Sequence, residues 1–161
     1  MAEKTAGGDK LRYELHIPGE PVTKARPRVT KGGFSYTPAK TKNYETFVRE
    51  LFFAKHGQVM MDGAIRAEIV AYFPIPKSTA KKLQALMATE QYPHTKSRDA
   101  DNVAKSVLDA LNGIAYKDDS QIADLDVKKR YSVRPRVTLI LTKIEIGGQR
   151  NEIINEQIGL T

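Results

Sequence analysis

The sequence contains no cysteine. That absence excludes disulfides, zinc–thiolate centres and thiol nucleophiles. Histidine is sparse: His16, His56 and His94 are scattered, and no H-x-x-H or H-E-x-x-H pattern joins them. A histidine-built zinc site therefore has no motif here. No apolar run reaches the roughly 18 residues that a membrane-spanning helix needs. Met1–Lys10 lacks the apolar centre of a secretory signal, so the expected location is the cytoplasm. The chain shows no internal repeat and no low-complexity tract, and 161 residues suit one domain with its own core. Acid, too, is missing from one long stretch: Val22–Tyr44 (V-T-K-A-R-P-R-V-T-K-G-G-F-S-Y-T-P-A-K-T-K-N-Y) carries six Lys or Arg and no Asp or Glu.

What is present is an excess of positive charge and one local reversal of it. The whole chain has 26 Lys+Arg against 19 Asp+Glu, a net charge of +7. Such a balance favours a polyanionic partner, nucleic acid being the commonest. Against this background Asp99–Asp126 holds seven Asp and only two Lys. Asp99 and Asp101 are two residues apart, so in an extended entry to a helix they point to the same side. Val103, Val107, Leu108 and Leu111 then recur at helical spacing and give one apolar face, and Gly113 is a natural stop. Lys105 follows Asp101 by four residues on the same helical face. Asp118-Asp119 lies in a turn before the next strand. Three or four carboxylates and one lysine could meet at one helix N-terminus, a plausible cage for a hard divalent cation with oxygen ligands.

Along the chain, Met1–Lys10 reads as a disordered tail. Leu11–Ile17 alternates as a half-buried strand and ends at Pro18-Gly19. Gly32-Gly33 between two β-prone pieces signals a hairpin, with Phe34 and Tyr36 on one face of its second strand. Basic residues beside exposed aromatics suit phosphate contact plus base stacking; the plainer reading packs these aromatics on the core. Thr37-Pro38 reads as an N-cap followed by proline at the first helical position. Tyr44, Phe47, Val48, Leu51 and Phe52 form the core stripe of a helix ending near His56. Ala64–Phe73 reads as a central strand and Ser78–Met87 as a short helix. Gln91–Arg98 is a basic loop in which Tyr92 and His94 either lean on DNA or anchor the loop. Ile122–Val133 and Arg136–Ile146 read as strands about an Arg134-Pro135 turn. The expected fold is α+β: one domain, residues 11–147, with a mixed sheet, an N-terminal hairpin and two to three helices. Residues 148–161 form a polar tail in which Ile153, Ile154 and Ile158 allow a short docking helix.

Simpler readings exist for the acidic stretch. A calcium EF-hand fails, because its sixth position would be Ala104 where glycine is needed and its twelfth Ala110 where glutamate is needed. A purely structural reading makes Asp101 a helix cap, Asp101 and Lys105 a weak i,i+4 pair of about 0.3–0.5 kcal/mol, and Asp118-Asp119 a turn. Each piece alone fits that account. Their co-occurrence around one helix in an otherwise cationic chain favours a metal site over that account, since several clustered carboxylates cost free energy unless a cation neutralises them.

At this point the motifs carry a resemblance. D-A-D-N-V-A-K-S-V-L-D-A-L-N-G followed by D-D-S-Q resembles the signature of the RusA-type Holliday junction resolvases, endodeoxyribonucleases of bacteria and their prophages. K-A-R-P-R, Y-T-P, K-T-K-N-Y-E, F-P-I-P and K-S-T-A-K-K are similar to other parts of that family. The likeness runs from Leu11 to Ile146; Ala100 stands where relatives carry a larger apolar residue, and the tail lies outside it.

The resemblance implies a homodimer that binds four-way DNA junctions and makes paired symmetric nicks, in recombination and repair, with magnesium (manganese as substitute). It implies Asp99, Asp101 and Asp119 as metal-binding acids, Lys105 as the active-site lysine, and Asp109 and Asp118 in support. Lys24, Arg26, Arg28 and Lys31, with Lys40, Lys42, Lys96 and Arg98, are the expected DNA contacts. Two nicks on opposite strands need two sites, which suits an isologous dimer. Three alternatives remain open: a metal-dependent nuclease for flaps or other branched DNA, a non-catalytic DNA-binding protein, and an assembly module that docks a protein through the basic hairpin.

Overall fold

The computed structural model describes residues 11–146 and position 159. The expected N-terminal tail and, Gly159 apart, the expected docking helix lie outside the described residues. The elements run β1 (Arg12–Pro18), β2 (Arg28–Val29), β3 (Ser35–Tyr36), α1 (Ala39–His56), β4 (Ile65–Pro74), α2 (Lys81–Met87), α3 (Ala100–Leu108), β5 (Ile122–Ser132) and β6 (Arg136–Lys143). This is the α+β order expected from the sequence. One sheet has the order β1-β6-β4-β5; β4 and β5 are parallel and the other pairs antiparallel, so the sheet is mixed. β2 and β3 form a separate two-stranded ribbon.

The sheet follows from alternation. Tyr13, Leu15 and Ile17 of β1, Ile65, Ala67, Ile69, Ala71 and Phe73 of β4, and Val137, Leu139 and Leu141 of β6 are all buried. The register sets Leu15 opposite Leu139 and Leu139 opposite Ile69, so one continuous apolar layer crosses three strands. Burying such a layer stabilises the fold by about 25 cal/mol per Å² of apolar surface removed from water. β4 is central, as its composition predicts. Parallel pairing of β4 with β5 needs a long crossover, and that crossover carries α2 and α3. The short link 133–135 takes the chain past the end of β4, so β5 and β6 flank it.

Three local expectations change. α1 begins one residue later than expected, with Pro38 in the capping position and no side-chain cap. Proline's fixed φ and missing N–H are tolerated just before the helix as well as inside its first turn. The buried stripe of α1 is Thr41, Tyr44, Val48 and Phe52; Phe47 is exposed, because the face is centred one position away from it. α3 stops at Leu108 and tightens into a 3-10 turn, Asp109–Leu111, before Gly113 at φ 77°. Its apolar face is as expected, with Val103, Val107, Leu108 and Leu111 buried. His94 anchors its loop: it is buried and stacked on Phe73 at 3.9 Å between ring centroids. Among the described residues no helix is long and apolar enough to cross a membrane.

Candidate active site

The site forms where the basic segment crosses between α1 and α3. The Lys24 amide donates to the Asn102 carbonyl at 2.9 Å, and the Ala25 amide approaches the Thr41 hydroxyl of α1 at 3.3 Å. This threading brings Lys24 and Arg26 into one cavity of about 300 Å³ with Asp99, Asp101, Lys105 and Asp109. The pocket joins residues that the sequence separates into a cationic stretch and an acidic one.

At the mouth lie Asp99 and Asp101. Asp99 is the residue before the helix, in extended geometry, and makes no capping bond; Asp101 already sits in the first turn. The structural alternative, with Asp101 as the cap, is therefore corrected: the boundary falls at Asp99. Lys105 Nζ stands 3.9 Å from Asp101 Oδ2, with both side chains mostly exposed. Such a pair is worth little to stability, which leaves both groups available to a ligand.

Deeper in, Lys24 Nζ bonds Asp109 Oδ2 at 2.5 Å and Glu45 Oε1 at 2.8 Å. Burial opposes the ammonium, but its bonds to Asp109 and Glu45 outweigh that cost and its pKa stands above the ordinary lysine value. Asp119 does the opposite of a normal surface acid. Its hydrogen bond with Asp109, then burial, then the charges of Asp109 and Asp118 raise its pKa. Two carboxyls this close favour keeping one proton. Asp118, by contrast, is held below the carboxylate range by its bond with Ser120. It caps the turn Asp119–Gln121 in a reciprocal capping box, and Gln121 ties that turn to the Met61 and Gly63 carbonyls.

The remaining expected contacts spread outward. Arg28 and Lys31 lie exposed on the ribbon, Lys40 and Lys42 on the exposed side of the first half of α1, and Lys96 in the loop before α3. Arg98 pairs with Glu20 at 3.5 Å while its carbonyl accepts from Lys129. Lys24, expected from sequence to reach phosphate, is half-buried and bonded inward. Two residues escaped sequence reasoning. Glu45 joins the acid cluster from α1, and Arg49 donates to the Ala110 and Asn112 carbonyls, fixing the turn after α3. The signal for Glu45 was its place four residues after Thr41 along one edge of the buried stripe.

Among the described residues, no three of His, Cys, Asp or Glu are drawn together as they would be round an ion. The donor chemistry still fits a hard divalent cation. All the candidates are carboxylates, and the Asp109–Asp119 contact is a like-charge contact that a cation would relieve.

An α+β domain that lays a cationic arm across a carboxylate-rich helix end carries, side by side, the two charge types that a phosphodiester and a divalent cation call for. Residues 18–142 match the family Endodeoxyribonuclease RusA, and the chain belongs to that family. It is 36% identical over 142 residues to the uncharacterized protein YqaN of Bacillus subtilis (strain 168), a match covering 84% of this chain and 98% of that one.

Proposed function

We propose that the protein resolves four-way DNA junctions in the cytoplasm, as a homodimer, by paired magnesium-dependent nicks. What supports this reading, beyond the family, is a single cavity in which Asp99 at the entry to α3, with Asp101 and Lys105 of α3, meets Arg26 of the basic segment, while Lys24 seats that segment on Asp109. A phosphodiester needs both sides: cations to hold its charge, and acids to hold the ion that activates water.

In this reading Asp99, Asp101 and Asp119 hold the metal, which when bound supplies an acidified water and positive charge at the phosphate. Lys105 leaves its ammonium at the cavity mouth, where it offsets negative charge growing on the phosphoryl oxygens. Arg26 and Arg28 take backbone phosphates and set the register of the strand. Lys24 does not reach DNA while it bridges Glu45 and Asp109; it keeps the arm seated on the site. Asp118 positions Asp119 through its turn. Each protomer supplies one such site, and a two-fold dimer sets two of them against opposite strands.

The test is cleavage of a synthetic four-way junction, beside matched duplex and flap substrates, by wild type and Asp101→Asn, with magnesium and with EDTA. Paired symmetric nicks confined to the junction, and lost in EDTA and in the variant, are the expected result. Equal cutting of flaps would redirect the substrate. Tight junction binding with no nicking under any divalent metal would leave a DNA-binding protein whose acids are only structural.

A further inference from the structure

The ribbon β2–β3 is built unlike the rest of the fold. Every residue from Arg26 to Thr37 is exposed, including the apolar ones: Phe34 is 77% exposed, Val29 69% and Tyr36 49%. The aromatics therefore do not pack on the core. Gathered on one small ribbon in place of the core, they leave apolar and aromatic surface free to meet a partner.

The register shows how that surface is composed. Arg28 lies opposite Tyr36, and Val29 opposite Ser35. The Thr30 amide bonds the Phe34 carbonyl at 2.9 Å, and the Phe34 amide approaches the Thr30 hydroxyl at 3.2 Å, so these two are the next facing pair. Residues directly opposite share a face, and faces alternate along a strand. Arg28, Tyr36, Thr30 and Phe34 therefore lie on one face, and Val29 on the other. Gly33, at φ 81°, turns the chain tightly, and the Phe34 ring passes over Gly32, where an added Cβ would meet it at 3.6 Å. The ring is thus supported from beneath and open above.

We propose that this face is a stacking platform for nucleobases unstacked at a DNA branch point, with Phe34 as the leading side chain, Tyr36 behind it, and Arg28 on the same face holding the adjoining backbone phosphate. The inference rests on the DNA reading above. Two features select nucleic acid over a protein partner. The segment bearing the platform carries only positive charge, and it runs without a break into Lys24 and Arg26 of the cavity. Aromatic rings are also the side chains on which bases stack whatever their sequence. Bases at a branch point are already weakly stacked, so capturing one costs less than opening a duplex. The platform would favour branched over linear DNA and fix the distance from branch point to nick.

The experiment uses the full chain carrying Asp101→Asn, so that substrate survives, and a four-way junction with 2-aminopurine next to the branch point. Binding is measured beside a linear duplex of the same sequence. The expected result is a fluorescence change on junction binding that Phe34→Ala removes, with junction affinity about tenfold weaker and duplex affinity unchanged. Phe34→Trp should restore both, whereas Phe34→Leu, apolar but without a ring, should not. Unaltered thermal melting of each variant confirms that the exposed position is not structural. If wild-type residues at the ribbon give no preference for junction over duplex, the DNA-branch reading and this inference fall together. If the preference is present and Phe34→Ala leaves affinity and fluorescence unchanged, the platform alone is wrong; a protein captured through Phe34 in place of DNA would overturn it likewise.

Discussion

Two charged clusters lie on the same domain and are built to opposite rules. At the link between β5 and β6, Arg136 donates to both Glu90 oxygens at 2.9 and 3.0 Å, Ser132 donates to Glu90 at 2.7 Å, and the Arg136 guanidinium lies 3.9 Å over the Tyr72 ring. One acid meets one base, and the Glu90 pKa falls to about 2 because Arg136 first and Ser132 second bond its carboxylate. Beside the cavity, Lys24 is, among the described residues, the one cation paired with both Glu45 and Asp109, while Asp119 leans on Asp109 with its pKa raised. Saturated charge holds structure. An excess of acid with a carboxyl pushed upward is an unfinished constellation, and unfinished constellations are where a cation or substrate adds the missing term.

The strongest way to break the contrast is to remove acid from the unfinished cluster. Asp101→Asn and Asp119→Asn should each lower junction nicking by about a thousandfold or more, with melting temperature little changed. Asp101→Asn should also preserve or tighten junction binding in a gel-shift titration, since it removes a like charge near phosphate. Chelation of divalent metal should match the variants. Comparable nicking by Asp119→Asn would show that the raised carboxyl is a structural accident.

Lys105→Ala comes next. It should lower single-turnover nicking about a hundredfold and shift junction Kd by less than about threefold, because in the proposed mechanism the charge acts as negative charge grows on phosphate. Equal losses in both would make Lys105 a binding residue.

The saturated cluster should respond in the other currency. Arg136→Ala strands Glu90 and should cost about 2 kcal/mol of stability while leaving nicking by the folded protein intact. Glu90 also sits at φ 64°, a left-handed conformation that its bonds help to maintain. Because the folded pKa, about 2, is below the ordinary 4.5, this acid contributes stability above that upper value. The contribution is lost as pH falls from about 4.5 toward 2. Urea midpoints of wild type and Glu90→Gln should therefore differ at neutral pH and converge across that window.

The clusters were not equally legible in sequence. α3 was readable because Val103, Val107, Leu108 and Leu111 repeat with the helix, and the same period sets Lys105 beside Asp101. β4 announced itself as central by apolar content. What local pattern could not give was the bond between Lys24 and Asp109, 85 positions apart, or the approach of Glu45. Both depend on the basic segment passing between two helices, a long-range arrangement with no period of its own. The same limit hid the Glu90–Arg136 pair. The exposure of Phe34 was also undecided, because alternation reports which side chains share a face and not what covers it.

The finest comparison is between lysine and arginine residues within the basic segment itself. Arg28 and Lys31 are exposed and unengaged by acid among the described residues, whereas Lys24 is committed to Asp109 and Glu45. Neutralising a residue that touches phosphate removes one released counterion and lowers the slope of log Kd against log salt by about 0.9. Arg28→Gln and Lys31→Gln should each do this, with affinity only about threefold to tenfold weaker at physiological salt. Lys24→Gln should leave the slope unchanged and show its effect in melting temperature instead, because its charge is spent inside the protein. Slopes measured by fluorescence anisotropy between about 50 and 200 mM salt decide the matter. A slope that falls equally for all three would mean that Lys24 leaves Asp109 when DNA arrives, and that the acid cluster becomes fully uncompensated only in the complex.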